Sequence, residues 1–324
     1  MGQEERRRAR GCLKLASDLA QRILAGDRRA LTRVLTFVEN GYPEGREALR
    51  GLFASSGRAH IVGVTGPTGS GKSTLIGALA REYRKRGRSL GIVAVDPTSP
   101  FSHGAILGDR IRMQDLTSDP GVFIRSMATR GALGGLAPAT NDVVTVLDAA
   151  GYDLVLVETV GAGQDEVEIA DTAHTTVVIN IPGAGDDMQA IKAGILEIAD
   201  ILVVNKADLP AAESVFKQLH IFTDLQRHEG WQVPILKTVS HKEQGIKELL
   251  DAIESHRGYL ASSGRLDEMR RHRARRQLLS VAQSMLLARV LDGALGAERV
   301  EQLVEQIVAL KMDPHTAAER LISR

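Results

Sequence analysis

Between residues 59 and 254 the chain repeats two hydrophobic rhythms. One is a short, nearly continuous run of apolar, often β-branched residues. It recurs at His60–Thr65, Ser89–Asp96, Val122–Ile124, Leu154–Glu158, Thr175–Asn180, Ile201–Asn205 and Val233–Leu236. A strand with one wet face would alternate apolar and polar residues. These runs do not, so they predict strands covered on both faces, as in a parallel sheet. The other rhythm places apolar residues three and four apart, as in Thr74–Tyr83, and predicts amphipathic helices. Arg84-Lys85-Arg86-Gly87 closes that helix with a basic last turn and a glycine stop. Strands alternating with helices predict an α/β fold with a doubly wound, mostly parallel sheet. In such a sheet, ligand-binding loops follow the strand C-termini.

Both ends of the chain lose the strand rhythm. Leu13, Leu15, Leu19, Ile23 and Leu24, then Leu31, Val34, Leu35, Phe37 and Val38, recur at helical spacing. Gly26-Asp27 separates the two runs, and Gly41-Tyr42-Pro43 ends the second. Residues 1–57 therefore read as a helical extension packed on the main domain. Beyond residue 258 the pattern is helical again. Leu266–Leu287 carries Arg270, Arg271, Arg273, Arg275 and Arg276, and Val300, Leu303, Val304, Ile307, Val308 and Leu310 form an apolar stripe. The arm, residues 258–324, must bury that stripe on a second subunit or on the main domain's own surface.

Charge and composition narrow the partners. The formal net charge is +1, so no global field draws the chain to nucleic acid or to a membrane surface. Aromatic residues are 3% of the chain, too few for base-stacking surfaces. No run approaches the roughly 18 apolar residues of a membrane span. Cys12 is the single cysteine, which rules out a disulfide within the chain and fits a reducing compartment. A cytoplasmic protein with no nucleic-acid or membrane partner is expected.

Chemistry enters after the first predicted strand. Gly66-Pro67-Thr68-Gly69-Ser70-Gly71-Lys72-Ser73 fits the phosphate-loop pattern G-x-x-x-x-G-K-[ST], with a strand before it and a helix from Thr74 after it. The glycines let backbone N–H groups turn toward a phosphate, and the helix N-terminus adds partial positive charge. Lys72 would reach the β- and γ-phosphates, and the Ser73 hydroxyl would ligate Mg²⁺. Asn205-Lys206-Ala207-Asp208 follows the sixth strand and matches the guanine-reading loop of G proteins. There the Asp208 carboxylate would accept from the two N–H groups of the guanine edge. Adenine would leave that buried acceptor unpaired. The stem of Lys206 can cover the base, and Asn205 can support the loop. Thr238-Val239-Ser240 lies after the next strand, where G proteins place a backbone contact to the guanine carbonyl. Glu158-Thr159-Val160-Gly161 stands where most G proteins have D-x-x-G: Glu158 for the ion, Gly161 for the γ-phosphate. Asp96 and Asp109 are further carboxylates placed to touch Mg²⁺-bound waters or the attacking water. Gln164 is not adjacent to Gly161, so it is not assigned a water-positioning role.

Together these residues resemble the methylmalonyl-CoA mutase-associated GTPases, the MeaB or ArgK type, among the G proteins with Glu in the third motif. The resemblance rests on Gly63–Ser73, Val93–Pro100, Gly108–Met113, Phe123–Leu136, Glu158–Glu166, Pro182–Gly194 and Asn205–Asp208. Phe123–Leu136 and Pro182–Gly194 are more specific than the generic nucleotide motifs. The resemblance implies a P-loop NTPase with a GTP-binding domain at residues 58–257 and a dimerisation arm at 258–324. It implies GTP/GDP and Mg²⁺ as ligands; with no evident arginine finger in the sequence, such a site should hydrolyse GTP slowly on its own and faster with the partner. Its implied partner is an adenosylcobalamin-dependent acyl-CoA mutase, to which the cobalamin belongs. The chain would gate cofactor loading and protect or reactivate that mutase. A third switch would map onto Gly183–Lys192, with Asp186, Gln189 and Lys192 coupling nucleotide to partner. The competing expectation is a metallochaperone GTPase for a nickel enzyme. One cysteine and scattered histidines such as His103, His174 and His315 give that reading no ligand spacing. An older transport-ATPase label for the family conflicts with the guanine-reading loop.

Overall fold

The strands of the computed structural model are β1 (His60–Thr65), β2 (Leu90–Asp96), β3 (Val122–Ala128), β4 (Leu154–Glu158), β5 (Thr175–Asn180), β6 (Ile201–Val204) and β7 (Ile235–Lys237). They form one seven-stranded sheet in the order β3-β2-β4-β1-β5-β6-β7, and every pairing is parallel. The structure describes residues 3–96, 113–128, 138–159, 165–182, 193–225, 230–291 and 293–322. β1, β4, β5 and β6 are buried at every position, which is why their sequences are continuously apolar. The register pairs Val64 with Glu158 and Thr65 with Val178, so the carboxyl ends of β1, β4 and β5 lie level. The loops that leave them share one edge of the sheet.

Helices cover both faces. On one, Val62, Val64, Leu156, Val177 and Ile179 pack under α4 (Lys72–Lys85) and the helix Ile246–Ser262. On the other, Ile61, Val93, Val155 and Val157 share a core with the helix Pro138–Ala149. The same core takes in the N-terminal helices α1 (Gln3–Leu24), α2 (Arg28–Glu39) and α3 (Pro43–Phe53). Leu19, Ile23, Leu35 and Leu52 are fully buried there. Each such side chain contributes about 1.5–3 kcal/mol by leaving water. The N-terminal helices are therefore a layer of the fold. Val178, Leu202 and Val204 pack under Ala193–Glu197 and Ala212–Leu225.

Polar contacts fix this layer. Asp27 ends the break between α1 and α2 by accepting from Arg29 N at 2.8 Å and Ala30 N at 3.1 Å. Arg28 donates to the carbonyls of Pro120 at 2.7 Å and Val122 at 2.6 Å. Arg125 of β3 pairs with Glu39 of α2.

At the amino ends of the strands lies a buried polar chain. Thr175 Oγ1 sits 2.8 Å from His60 Nε2 and 2.8 Å from His256 Nδ1. His256 Nε2 lies 3.4 Å from Asp200 Oδ1. Asp200 Oδ2 accepts from Thr176 N at 2.7 Å, and its backbone carbonyl accepts from Trp231 Nε1 at 2.8 Å. Burial lowers His60 to about 2 and His256 to about 4, and raises Asp200 to about 7.

By its internal contacts the chain divides into two units, residues 1–269 and 270–324. In the second, Gly293–Val308 and Pro314–Ile322 pack on one another, and Arg299 donates to the carbonyl of Arg320. Leu278, Leu279, Met285, Leu286 and Leu287 are exposed on the helix that runs through Leu291.

Candidate functional site

The loop between β1 and α4 is shaped by two glycines. Gly66 has φ +145°, and a Cβ there would stand 2.5 Å from the Ile179 carbonyl oxygen. Gly71 caps α4 at φ +88°. Other residues would strain both positions. Ser70 N donates to Pro67 O at 3.1 Å and closes the turn. Thr68 and Gly69 are exposed on the loop, and Thr74 is half-buried in the first turn of the helix. Lys72, the first residue of α4, is buried at 7% exposure and donates from Nζ to Gly66 O at 2.8 Å and Pro67 O at 3.2 Å. An ammonium group thus lies against the loop carbonyls at a helix N-terminus, where orphan N–H groups favour an anion.

The third motif meets the phosphate loop directly. Ser73 Oγ donates to Glu158 Oε1 at 2.7 Å, and both residues are buried. The register that levels β1 with β4 sets this approach. A hydroxyl and a carboxylate side by side are hard oxygen donors, which suits Mg²⁺. Thr159 continues the strand by donating from its backbone N to Val64 O at 3.2 Å, and its hydroxyl bonds Thr65 Oγ1 at 2.9 Å. The backbone of Asp96 ends β2 beside β4, with Ala94 opposite Glu158; its side chain lies outside the description. Asp109, Gly161, Gln164, Asp186, Gln189 and Lys192 lie outside the described residues.

The base loop joins the phosphate loop through Asn205, which is buried at 2% exposure. Its Nδ2 donates to Ser70 O at 2.7 Å. Its Oδ1 accepts from Thr238 Oγ1 at 3.0 Å, Ser240 Oγ at 2.7 Å and Ser240 N at 3.3 Å. One amide therefore satisfies the phosphate loop on one side and the turn after β7 on the other. Lys206 takes a left-handed conformation, φ +56°, and donates from Nζ to Gly69 O at 2.9 Å. Ala207 N donates to Thr238 O at 3.0 Å. Asp208 projects at the rim, where Oδ2 accepts from Lys242 Nζ at 3.1 Å. That hydrogen bond, with the charge of Lys242 behind it, holds the Asp208 carboxyl below its usual range.

The structure thus gathers Gly66, Thr68, Gly69, Ser70, Gly71, Lys72, Ser73, Thr74 and Glu158 with Asn205, Lys206, Asp208 and Ser240. Thr238, expected with Val239 and Ser240 beside the guanine carbonyl, holds Asn205 instead. The structure also adds Lys242, which sequence reasoning passed over and which holds Asp208. Its signal was positional: it lies two residues past Ser240, in the turn after the last strand. Ser70 Oγ and Asn180 Nδ2 are buried polar atoms with no hydrogen-bond partner among the described residues, at the edge where the loops emerge. Among the described residues no group of three or more His, Cys, Asp or Glu side chains is arranged to hold a metal ion.

Known proteins are similar to this chain in sequence and in fold. A putative GTPase of Pyrococcus abyssi is 47% identical over 312 residues, covering 95% of this chain and 96% of its own. The mouse mitochondrial methylmalonic aciduria type A homolog is 30% identical over 93% of this chain and 77% of its own length. Among solved structures, a LAO/AO transport system kinase superposes with a TM-score of 0.70 at 26% identity, covering 94% of this chain and 96% of that one. The sequence model of the methylmalonyl-CoA mutase-associated GTPase MeaB matches residues 31–294, a span that holds the phosphate loop, the Glu158 motif and the base loop. A parallel P-loop sheet with those loops at one edge, and that match over most of its length, make the chain a member of the MeaB GTPase family.

Proposed function

We propose that the chain binds GTP, hydrolyses it to GDP and phosphate with Mg²⁺, and serves as chaperone to an adenosylcobalamin-dependent acyl-CoA mutase. The observation that carries the nucleotide reading is the Asn205 amide, which builds the phosphate loop and the base loop into one buried network. In this reading Asp208 reads guanine, the Lys206 stem covers it, and the Ser240 turn faces its carbonyl edge. Lys72 turns from the Gly66 and Pro67 carbonyls to the phosphates. With the loop amides and Gly161 it stabilises charge on the transferring phosphoryl oxygens. Ser73 and Glu158, with Asp96 and Asp109, would hold Mg²⁺. Bound there, the ion would neutralise charge on the β- and γ-oxygens. Glu158 is one methylene longer than the usual Asp, and it reaches the Ser73 hydroxyl at 2.7 Å. Asp96 or Asp109 orients the attacking water.

The chaperone role is supported by the family's description as mutase-associated. Asp186, Gln189 and Lys192 would couple nucleotide state to the mutase, which keeps the cobalamin. Residues 258–324 would form the arm of a homodimer. Exposed Leu278, Leu279, Met285, Leu286 and Leu287 favour that reading, since apolar groups in such number call for cover. A cytoplasmic location fits the single cysteine, and no described helix is long and apolar enough to cross a membrane.

Single-turnover GTP hydrolysis, with and without a purified mutase of this class, tests the proposal. Slow turnover that the mutase accelerates, with cofactor transfer differing between GTP and GDP, is expected. No acceleration by any such mutase, together with no complex between the two proteins, would remove the chaperone assignment and leave a GTPase alone. Lys192→Ala should keep nucleotide affinity and lose the acceleration.

A further inference from the structure

We infer that Lys242 is a positioning residue for guanine recognition, holding the Asp208 carboxylate in the orientation in which it reads the base. The inference rests on the guanine-site reading above and extends it to a residue outside the sequence motifs.

The backbone that carries Lys242 is fixed on both sides. Ahead of it, Ser240 bonds Asn205 Oδ1 through both its N–H and its hydroxyl. Behind it, Glu243 takes a left-handed φ of +55° and is tied to α4, accepting from Arg81 Nε at 2.5 Å, with Lys85 Nζ 3.5 Å away. Val239 and Gln244 close the turn by an antiparallel bridge. The Lys242 side chain therefore starts from a place set by the phosphate-loop helix. It delivers its ammonium to Asp208 Oδ2 at 3.1 Å, with His241 Nε2 at 4.0 Å from the same oxygen.

Asp208 needs such help. Its side chain keeps 34% of its exposure, so packing alone does not lock its rotamer. Guanine would approach with two N–H donors and needs both oxygens in one plane. Each carboxylate oxygen has two acceptor directions. A lysine that takes one acceptor direction of Oδ2 would leave the other, together with Oδ1, to the base, so Lys242 can support recognition without blocking it.

The test is a titration with fluorescent GDP of the wild type, Lys242→Ala and Lys242→Arg, and a titration with xanthosine diphosphate of Asp208→Asn with and without Lys242→Ala. Lys242→Ala is expected to weaken GDP binding roughly two- to fivefold, the range for an exposed ion pair. Lys242→Arg should recover most of the loss, and raising salt from about 0.05 to 0.5 M should shrink it. In the Asp208→Asn background the lysine should make no difference to xanthosine diphosphate. Tighter GDP binding by Lys242→Ala would make the lysine a competitor of the base and overturn the inference. An unchanged affinity, or an equal loss in the Asp208→Asn background, would overturn it too. If wild type does not prefer GDP to ADP, the guanine-site reading fails. If that preference stands and Lys242→Ala matches wild type, only the role of Lys242 fails.

Discussion

The Asn205 amide donates to the Ser70 carbonyl at 2.7 Å, so the loop proposed to read the base and the loop proposed to hold the phosphates share a buried hydrogen bond. Asn205→Asp should separate the two halves of this role. The acid keeps an acceptor for Thr238 and Ser240 but offers Ser70 O an oxygen in place of an N–H. An unmet buried polar group costs about 1–3 kcal/mol. GDP affinity should fall at least roughly tenfold, and the melting temperature of the nucleotide-free protein should drop. Calorimetric titration and thermal unfolding check both; wild-type values for both would show that the shared bond carries no load.

Lys72 is a buried cation satisfied by two loop carbonyls. Lys72→Ala should slow single-turnover hydrolysis by roughly 10²-fold or more, the scale of losing one transition-state charge contact. The circular dichroism spectrum should stay native, because no apolar core residue is removed. Wild-type turnover in the variant would contradict the role. Loss of the spectrum would make the lysine structural instead.

Glu158→Gln keeps an oxygen for the Ser73 hydroxyl but removes a buried charge beside it. The Mg²⁺ concentration for half-maximal hydrolysis should rise roughly tenfold, since a neutral amide is a poor ligand for a hard cation. An unchanged Mg²⁺ dependence would place the ion elsewhere.

Much of this site was legible in the chain because its parts are local. β1, β4 and β5 run over the predicted residues, His60–Thr65, Leu154–Glu158 and Thr175–Asn180, since strands buried on both faces leave continuous apolar runs. β3 extends to Ala128, beyond the predicted Ile124. Arg125 breaks the apolar run, and the Glu39 carboxylate that offsets its charge comes from α2, far away in sequence. β7 begins at Ile235, one residue past Pro234, which has no N–H to give to a ladder. The chain His60–Thr175–His256–Asp200 left no local sign. Its members come from separate elements, and no short spacing links them.

That chain predicts a pH effect. Unfolded Asp200 ionises above its usual 3.8, whereas the folded group, raised to about 7, keeps its proton, so its contribution to stability falls as pH rises from about 4 to 7. His256 works in the opposite sense. Unfolded histidine takes up a proton below 6.5, the folded group resists until about 4, and stability is lost as pH falls through that interval. The two offset each other in wild type. Asp200→Asn should unmask the histidine, so that its unfolding free energy rises more steeply with pH between 4 and 6.5 than that of wild type. One unit of pKa difference corresponds to about 1.4 kcal/mol. Asp200 keeps 30% side-chain exposure, which tempers its share. Urea unfolding at pH 4.5, 5.5 and 6.5 measures the slopes; parallel curves for the two proteins would contradict the assignment.

The most direct measurement of the guanine site is nucleotide affinity of wild type and Asp208→Asn for GTP, ATP and xanthosine triphosphate. In the proposed site the Asp208 carboxylate would accept from both N–H groups of guanine; an amide in its place could donate to the xanthine carbonyl. Wild type should bind GTP at least roughly tenfold more tightly than ATP or xanthosine triphosphate, and Asp208→Asn should reverse the order of GTP and xanthosine triphosphate by a similar factor. Equal affinity of wild type for ATP and GTP, or a variant that still prefers GTP, would contradict the account.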